Sequence, residues 1–144
     1  MFVIFEGLDK AGKGTLEWEF LKATNFKHIV IDRGPAGYIV FDSLFDRQTD
    51  EGDAEFIRNA RLVMESGSFM VVYCRASSHV ALKRIAEHSE TCPYDYDQAQ
   101  SMYDWCIGTL YDKERVVAVD TSRPIKECVN EIIKKLEALK GEHN

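Results

Sequence analysis

The ten residues from Glu6 to Thr15 combine glycines and lysines in a pattern that can bind phosphate. They read Glu-Gly-Leu-Asp-Lys-Ala-Gly-Lys-Gly-Thr and directly follow the apolar run Phe2–Phe5. A glycine-rich turn presents backbone N–H groups to an anion and lets the anion approach closely. Lys13 adds a positive charge, and a helix that begins near Lys13 points the positive end of its dipole at the same anion. These residues therefore predict a binding site for a polyphosphate.

The spacing within this segment is that of the P-loop. Gly7 is followed by four residues and then by Gly12 and Lys13, the arrangement in which backbone N–H groups surround nucleotide phosphates and the lysine contacts the terminal ones. Most P-loops have a magnesium-binding Ser or Thr directly after the lysine, whereas this chain has Gly14 and then Thr15, so Thr15 is the candidate ligand. The alternative is an ordinary strand-turn-helix with an unrelated lysine. The nucleotide-binding candidates are Gly7, Leu8, Asp9, Lys10, Ala11, Gly12, Lys13, Gly14 and Thr15.

A second group of candidate residues could align phosphates for transfer, which requires positioning and positive charge around the migrating group. Arg33 either bridges donor and acceptor phosphates through its planar guanidinium or forms only a surface ion pair. Asp32 is either a magnesium ligand or a partner of a neighbouring group. Asp9 is placed to position the acceptor phosphate or a magnesium-bound water. Lys10 is either a second catalytic cation or a solvated loop residue.

The elements that would position these residues follow from hydrophobic patterning. Four continuous runs rich in Val, Ile and Phe predict strands buried on both faces, as in a parallel sheet: Phe2–Glu6, His28–Asp32, Phe69–Arg75 and Val116–Asp120. Residues at helical spacing lie between these runs. The alternation predicts an α/β three-layer sandwich with a parallel sheet of about four strands. In such sheets ligands bind beyond the carboxyl ends of the strands, which is where the candidate residues fall.

The helical stripes are most simply explained as core. We expect Trp18 and Trp105 to be buried with them, and Phe45 to pack inward from the helix that follows Asp32-Arg33.

Composition restricts the class of protein. The 144 residues are enough for one domain, predicted over residues 1–144. The longest apolar stretch, Phe69–Cys74, is too short for a membrane span, and the start of the chain lacks a signal-peptide pattern. We therefore expect a cytoplasmic protein without membrane contact. The four cysteines form no C-x-x-C pair, which favours reduced thiols. A net charge of −6 disfavours non-specific nucleic-acid binding but permits a local basic site.

Several of these segments resemble thymidylate kinases. Residues 5–15 resemble the P-loop of that family, and Asp32-Arg33 resembles its Asp-Arg pair at a strand end. Residues 80–85 are similar to its helix leading into the lid, and residues 116–127 to its last strand and adenine-side loop. The resemblance covers most of the chain and implies the P-loop NTPase fold of the nucleotide kinase type, with ATP and Mg²⁺ as cofactors.

The resemblance also implies roles for individual residues. Lys13 would hold the donor phosphates, while Asp9 and Arg33 would contact the acceptor. Lys10 matches the loop arginine of one class of thymidylate kinases, whose lid lacks catalytic arginines. The corresponding lid here, residues 86–98, contains no Lys or Arg. Arg123 either stacks over adenine or is exposed on a turn.

The chain departs from the family between Thr15 and Asp32, where only one helix, about residues 13–24, is predicted. Thymidylate kinases insert a further strand there, with a Thr-Arg-Glu-Pro-Gly-Gly-like segment that binds the acceptor. The sheet should therefore lose a strand, and the acceptor pocket must be built otherwise. Tyr38 and Phe41 are candidates for base stacking, with inward packing as the alternative. Arg47 and Arg58 are candidates for the acceptor phosphate, and Arg75 is a further strand-end cation.

These observations favour an enzyme that transfers a phosphoryl group from ATP to a deoxynucleoside monophosphate, with thymidylate or a modified pyrimidine nucleotide preferred. Alternatives are a kinase of a hydroxymethylated base in DNA, of a polynucleotide end or of a nucleoside, and a non-catalytic nucleotide-binding module. A switch GTPase is disfavoured because the chain has no Asn-Lys-x-Asp sequence and no Asp-x-x-Gly outside the P-loop. The expected partner is a small nucleotide, with DNA as a possible acceptor and a homodimer as a possible assembly.

Overall fold

A computed structural model of the chain describes residues 1–8, 10–47 and 51–141, without the side chain of Asp53. Its strands are β1 (Phe2–Glu6), β2 (Ile29–Asp32), β3 (Phe69–Arg75) and β4 (Val116–Asp120). Its helices are α1 (Lys13–Ala23), α2 (Pro35–Leu44), α3 (Glu51–Glu65), α4 (Ser78–Glu87), α5 (Tyr96–Leu110) and α6 (Ile125–Gly141), with a short 3₁₀ turn at Lys113–Arg115. Among the described residues, no helix is both long enough and apolar enough to cross a bilayer.

The strands form one parallel sheet in the order β2-β1-β3-β4. The central strands β1 and β3 consist of buried residues almost throughout, because helices cover both faces of the sheet. The register aligns Phe5 of β1 with Asp32 of β2 and with Val72 of β3. The carboxyl ends of the three strands therefore meet at one edge. The predicted four-stranded parallel α/β sheet is confirmed.

Alternation along the strands divides the core into two apolar layers, one on each face of the sheet. On one face, Val3 and Phe5 pack with residues of α1 and α6. On the other face, Ile4 packs with residues of α2, α4 and α5. Phe20 of α1 is fully buried, with its ring centroid 6.0 Å from that of Phe5. Truncating such a side chain to alanine costs about 3–5 kcal/mol, so the packing holds α1 firmly on the sheet.

Two helices on the second face begin with side-chain caps. Ser77 accepts a hydrogen bond from the Val80 N–H at 3.2 Å at the start of α4. Asp95 accepts one from the Gln98 N–H at 2.9 Å at the start of α5. These caps satisfy backbone donors that have no partner within the helix, so they fix where each helix starts.

Three aromatic residues expected in the core are exposed. Trp18 is 54% exposed, Trp105 69% and Phe45 42%. The prediction was wrong because Trp18 and Trp105 lie away from the buried stripes of α1 and α5, while Phe45 lies directly after the end of α2. Trp18 is two positions from both Leu16 and Phe20, which face the sheet, and two positions rotate a helical side chain by about 200°. Trp18 packs instead edge-on against Phe26, with ring centroids 5.7 Å apart.

Candidate active site

The loop after β1 has the backbone conformations that its glycines predict. Gly7 has a φ of +150°, and a Cβ there would lie 2.6 Å from the carbonyl oxygen of Cys74 in β3. Gly12 has a φ of +81° at the residue directly before α1. Both positions require glycine, because a side chain would be strained at Gly12 and would collide with the neighbouring strand at Gly7. The turn therefore brings the N-terminus of α1 against the end of β1, as a phosphate-binding loop requires.

A cleft of about 490 Å³ opens over this loop. One side is basic, and the other includes apolar surface from the start of α6. Such a combination suits a nucleotide, whose phosphates need cations and N–H donors while its base needs apolar contact. The lining residues are Leu8, Lys10, Gly12, Lys13, Gly14, Thr15, Leu16, Arg84, His88, Thr121, Ile125 and Cys128.

Lys13, which lines this cleft, forms an ion pair with Asp32 at the end of β2. Glu17, one turn after Lys13 on α1, hydrogen-bonds to Asp32. Burial, the hydrogen bond and the negative charge of Asp32 raise the pKa of Glu17 to about 8. Burial opposes ionisation of Asp32, but the hydrogen bonds from Glu17 and Lys13 outweigh it and hold the pKa of Asp32 below its ordinary value. The two carboxyl groups therefore share a proton and a lysine at the carboxyl end of β2.

The oxygen atoms at this edge fit a magnesium ion delivered with a nucleotide. Thr15 lines the cleft, and the carboxylate of Asp32 lies beside the loop lysine. Magnesium is commonly bound by one or two carboxylates together with substrate phosphates and water. Within the part of the chain that the structure describes, no group of three or more His, Cys, Asp or Glu residues is arranged to hold a metal ion. Thr15 and Asp32 are the oxygen donors of this edge that would hold such an ion together with phosphates.

Arg33 follows β2 in an uncommon backbone conformation, with a φ of +65°. Its N–H donates to the carbonyl oxygen of Phe5 at 2.9 Å, which places Arg33 beside the end of β1. Its guanidinium carbon lies 4.4 Å from the centroid of the Phe41 ring in α2. Non-glycine residues with positive φ are uncommon and are often found at functional sites. The geometry thus presents Arg33 at the same sheet edge as Lys13.

Arg84 is a cleft residue that the sequence reasoning missed. Its Nη1 donates to the Lys10 carbonyl oxygen at 3.0 Å and to Thr121 Oγ1 at 3.3 Å, and its Nη2 donates to the Thr121 carbonyl oxygen at 2.8 Å. Arg84 therefore joins the phosphate-binding loop to the turn after β4. Sequence carried no clear signal for this role, because an arginine on α4 also fits a solvated helix face.

The other nucleotide-site candidates have distinct surroundings. Lys10 lines the cleft, and its Nζ lies 3.9 Å from Glu90 in the predicted lid. Arg123 donates to Glu131 at 2.8 Å on α6 and is not among the residues that line the cleft. Asp9 lies outside the described residues.

The two stacking candidates on α2 differ in exposure. Phe41 is only 3% exposed, and Arg33 covers its ring, so it packs in the core as the alternative interpretation allowed. Tyr38 is half-buried, and its ring centroid lies 4.5 Å from that of Phe56 in α3. Tyr38 is therefore the more accessible of the two aromatic rings.

The remaining cations are engaged by carboxylates outside the cleft. Arg47 lies 3.7 Å from Asp42, and Arg58 pairs with Glu55 one turn earlier on α3. Arg75 makes two hydrogen bonds to the carboxylate of Asp104 at 2.9 and 3.0 Å. These placements leave Lys10, Lys13, Arg33 and Arg84 as the cations around the phosphate-binding loop among the described residues.

Comparisons with known proteins were made at the level of sequence and of structure. No protein-family profile and no curated protein sequence matches the chain. Solved structures do match. The YorR protein of Bacillus subtilis, in complex with phosphorylated GDP, superposes with a TM-score of 0.71 at 19% identity, over 100% of this chain and 99% of that one.

Two further structures are kinases. Deoxyadenosine kinase from M. mycoides with bound dATP has a TM-score of 0.61 at 20% identity, over 95% of this chain and 100% of that one. Thymidylate kinase from Candida albicans has a TM-score of 0.52 at 13% identity, over 96% and 92%. Identities this low show the fold alone. The four-stranded parallel sheet, the glycine-rich loop after β1 and these neighbours together establish that the chain has the α/β fold of P-loop nucleotide kinases.

Proposed function

We propose that the protein is an ATP-dependent kinase that phosphorylates a deoxynucleoside monophosphate, with thymidylate or a modified pyrimidine nucleotide as the preferred acceptor. The terminal phosphoryl group of ATP passes to an oxygen of the acceptor phosphate, which yields ADP and a deoxynucleoside diphosphate. The observation that carries the proposal is that Lys13, at the start of α1, pairs with Asp32 at the end of β2, while the next residue, Arg33, hydrogen-bonds to Phe5 of the adjacent strand β1. Residues 1–144 act in this proposal as one kinase domain.

Each residue at this edge has a part in the transfer. Lys13 and the backbone N–H groups of the loop hold the donor phosphates, while Lys10 adds positive charge. Arg33 spans donor and acceptor phosphates and stabilises the charge of the migrating group. Asp9 positions the acceptor phosphate. Thr15 and Asp32 would hold a magnesium ion that arrives with ATP, and the ion would neutralise charge on the phosphates.

Placement of the two substrates follows from the shape of the site. The donor nucleotide lies in the cleft over the loop, with its base towards Ile125 and Arg84. Arg123 contributes to the adenine side if it leaves its pairing with Glu131. The acceptor binds on the opposite side of Arg33, where Tyr38 presents a partly exposed ring. The kinase neighbours support this class of reaction, since their structures include a deoxyadenosine kinase and a thymidylate kinase.

A transfer assay with ATP labelled at the γ-phosphate tests the proposal. The acceptors are deoxynucleosides, common and modified deoxynucleoside monophosphates, and duplex DNA that contains hydroxymethylated pyrimidines. Labelled diphosphate product from a monophosphate, absent with Lys13→Ala, supports the proposed reaction. Label on a nucleoside or on DNA would identify that molecule as the acceptor in place of the monophosphate. Retained ATP binding without any labelled product would instead indicate a non-catalytic nucleotide-binding module.

A larger acceptor is the second candidate, and one surface feature favours it. Phe41 and Phe45 are nearly parallel, with ring centroids 6.3 Å apart and an interplanar angle of 8°. Arg33 lies over the first ring, and Arg47 lies over the second at 5.3 Å. Because Phe41 is buried, a nucleic-acid strand would contact only the exposed end of this row, where the Phe45 ring offers a stacking surface for a base and Arg47 a cation for a phosphate. A hydroxymethylated base in DNA or a polynucleotide end would then reach Arg33 along this row.

A further inference from the structure

Glu6 is a fully buried carboxylate that the proposed transfer does not use directly. It is the last residue of β1 and immediately precedes Gly7. Buried acidic side chains are rare unless they are paired or hydrogen-bonded, because leaving such a group unsatisfied in the core is costly. A buried carboxylate at the start of the phosphate-binding loop therefore requires a specific set of partners.

Five donors surround this carboxylate. Oε1 accepts from the N–H groups of Gly34 and Gly37 at 3.1 and 3.0 Å, and from the Tyr103 hydroxyl at 2.8 Å. Oε2 accepts from the Ala36 N–H at 3.0 Å and from the Tyr111 hydroxyl at 2.6 Å. Burial raises the pKa of Glu6, while the two tyrosines and the backbone donors act in the opposite direction. Both oxygens are thus fully engaged.

The three backbone donors lie at the start of α2, the helix that begins two residues after Arg33: Gly34 precedes the helix, and Ala36 and Gly37 are in its first turn. Gly34 precedes the helix and supplies no side-chain cap, so Glu6 caps the helix from another strand. Its negative charge also faces the positive end of the helix dipole. This contact fixes α2 relative to the start of the phosphate-binding loop.

The same turn determines where the Arg33 side chain can lie. A Cβ at Gly34 would be 2.5 Å from Cγ2 of Ile4 and 2.8 Å from Oε2 of Glu6. A Cβ at Gly37 would be 2.5 Å from Cγ of Arg33. The Arg33 stem therefore packs directly on the backbone of α2 at Gly37, whose N–H is held by Glu6.

We propose that Glu6 is a positioning residue for Arg33. It caps α2 from the end of β1 and so holds the guanidinium beside the proposed site of the donor phosphates. This inference rests on the proposed function, because it assigns Arg33 to phosphoryl transfer. Glu6 does not touch substrate. It acts through α2 and links the position of the arginine to that of the phosphate-binding loop.

Glu6→Gln tests the inference, since the amide places a donor nitrogen where an oxygen now accepts a backbone N–H. We expect kcat to fall by about 10- to 100-fold, because small misplacements of an aligned group have effects of this size. The dissociation constant for a non-hydrolysable ATP analogue should change by less than about threefold. Glu19→Gln is the matched control, because Glu19 is a partly exposed residue of α1 that pairs with Lys22, and it should leave both values unchanged.

A double-mutant cycle separates positioning from general damage. If Glu6 acts through Arg33, then Glu6→Gln in an Arg33→Ala background should lower kcat by no more than about threefold, because the two effects share one step. If Glu6→Gln lowers kcat in the Arg33→Ala background as much as it does in the wild-type background, the inference is overturned. An unchanged kcat in the single Glu6→Gln variant overturns it as well. Should Glu6→Gln fail to fold by circular dichroism, Tyr111→Phe replaces it in the same cycle, with the same two decisive outcomes.

Nuclear magnetic resonance distinguishes failure of this inference from failure of the proposed function. In ¹⁵N spectra, Glu6→Gln or Tyr111→Phe should shift the Gly34 and Gly37 amides and the Arg33 Nε–Hε resonance. If the wild-type protein shows no transfer activity, the proposed function fails. The chemical shifts would still show whether Glu6 positions Arg33. An unmoved Arg33 resonance contradicts the positioning role, whatever the activity.

Discussion

The guanidinium carbon of Arg33 lies 4.4 Å from the centre of the Phe41 ring, so the ring supports the arginine that is proposed to clamp the phosphates. Phe41 is buried beneath it and is packed against Phe45 and Tyr94. An aromatic face attracts a guanidinium and limits the directions in which it can turn. Phe41, which the sequence indicated as a base-stacking candidate, therefore contacts the Arg33 guanidinium instead.

Phe41→Leu should therefore lower turnover. We expect kcat to fall by about 3- to 10-fold, in line with a partly buried cation–π contact, while KM for ATP stays unchanged. Phe69→Leu is the matched control, because Arg115 stacks on Phe69 at 5.3 Å, outside the proposed site. Steady-state kinetics below the melting temperature of each variant measures the effect. Equal losses in both variants would indicate general loosening of the core.

Glu17 gives the stability of the protein a defined pH dependence. Its pKa is raised from 4.5 to about 8 in the folded chain, so folding favours its protonated form. The stabilising effect of that proton is complete below pH 4.5 and is lost as the pH rises towards about 8. Glu17→Gln removes this titration. As the pH increases from 4.5 to about 8, the melting temperature of wild type should therefore fall relative to that of Glu17→Gln.

Differential scanning fluorimetry across this pH range measures the difference in melting temperature, with Glu19→Gln as the control for a surface carboxyl on the same helix. Parallel curves for wild type and Glu17→Gln would show that Glu17 ionises normally in the fold.

Arg84 should matter more for ATP binding than Arg123. Arg84→Ala removes the hydrogen bonds to Lys10 and Thr121, which frees the loop and leaves carbonyl oxygens unpaired. We expect the dissociation constant for ATP to increase by about tenfold, because loss of such contacts costs about 1–3 kcal/mol. Arg123→Ala should have a smaller effect, since Arg123 pairs with Glu131. Isothermal titration calorimetry gives both constants, and the reverse order would assign the adenine side to Arg123.

Asp32 and Thr15 are expected to set the magnesium requirement. Asp32→Asn and Thr15→Val should each raise the magnesium concentration for half-maximal activity by about tenfold, because the first removes a carboxylate charge and the second removes a hydroxyl oxygen. Asp120→Asn is the control: Asp120 also ends a parallel strand, but it accepts hydrogen bonds from Ser122 at 2.6 and 2.9 Å. A magnesium titration at saturating nucleotide measures the change. An unaltered titration in Asp32→Asn would reduce Asp32 to the partner of Lys13.

The sheet was the most predictable part of the fold. The bounds of β1, β3 and β4 match the apolar runs. The central strands β1 and β3 are covered on both faces as expected, whereas the edge strand β4 alternates between buried and exposed residues. The predicted second strand began one residue early, since His28 lies before the first pairing, that of Ile29 with Phe2. Trp18 and Trp105 could not be placed from composition, because only the rotation of each helix on the sheet decides which side faces water.

Contacts between distant parts of the chain were the least predictable. Lys13 lies within a local motif, and its spacing alone identified it. Glu6 reaches hydroxyl groups 97 and 105 residues away, and Arg84 reaches a carbonyl 74 residues away. Such pairs depend on how α4 and α5 pack, which local patterning does not encode. A carboxylate at the end of an otherwise apolar strand was the one available signal for Glu6.

The central claim is that the loop lysine holds the phosphates of ATP for transfer. Single-turnover transfer from γ-labelled ATP to thymidylate, measured for wild type, Lys13→Ala and Lys22→Ala, tests it most directly. Lys22 lies on the same helix and pairs with Glu19 at 2.8 Å, which makes it the matched control. We expect labelled diphosphate from wild type and Lys22→Ala, and a rate at least about 100-fold lower from Lys13→Ala. Transfer by Lys13→Ala at the wild-type rate would contradict the account.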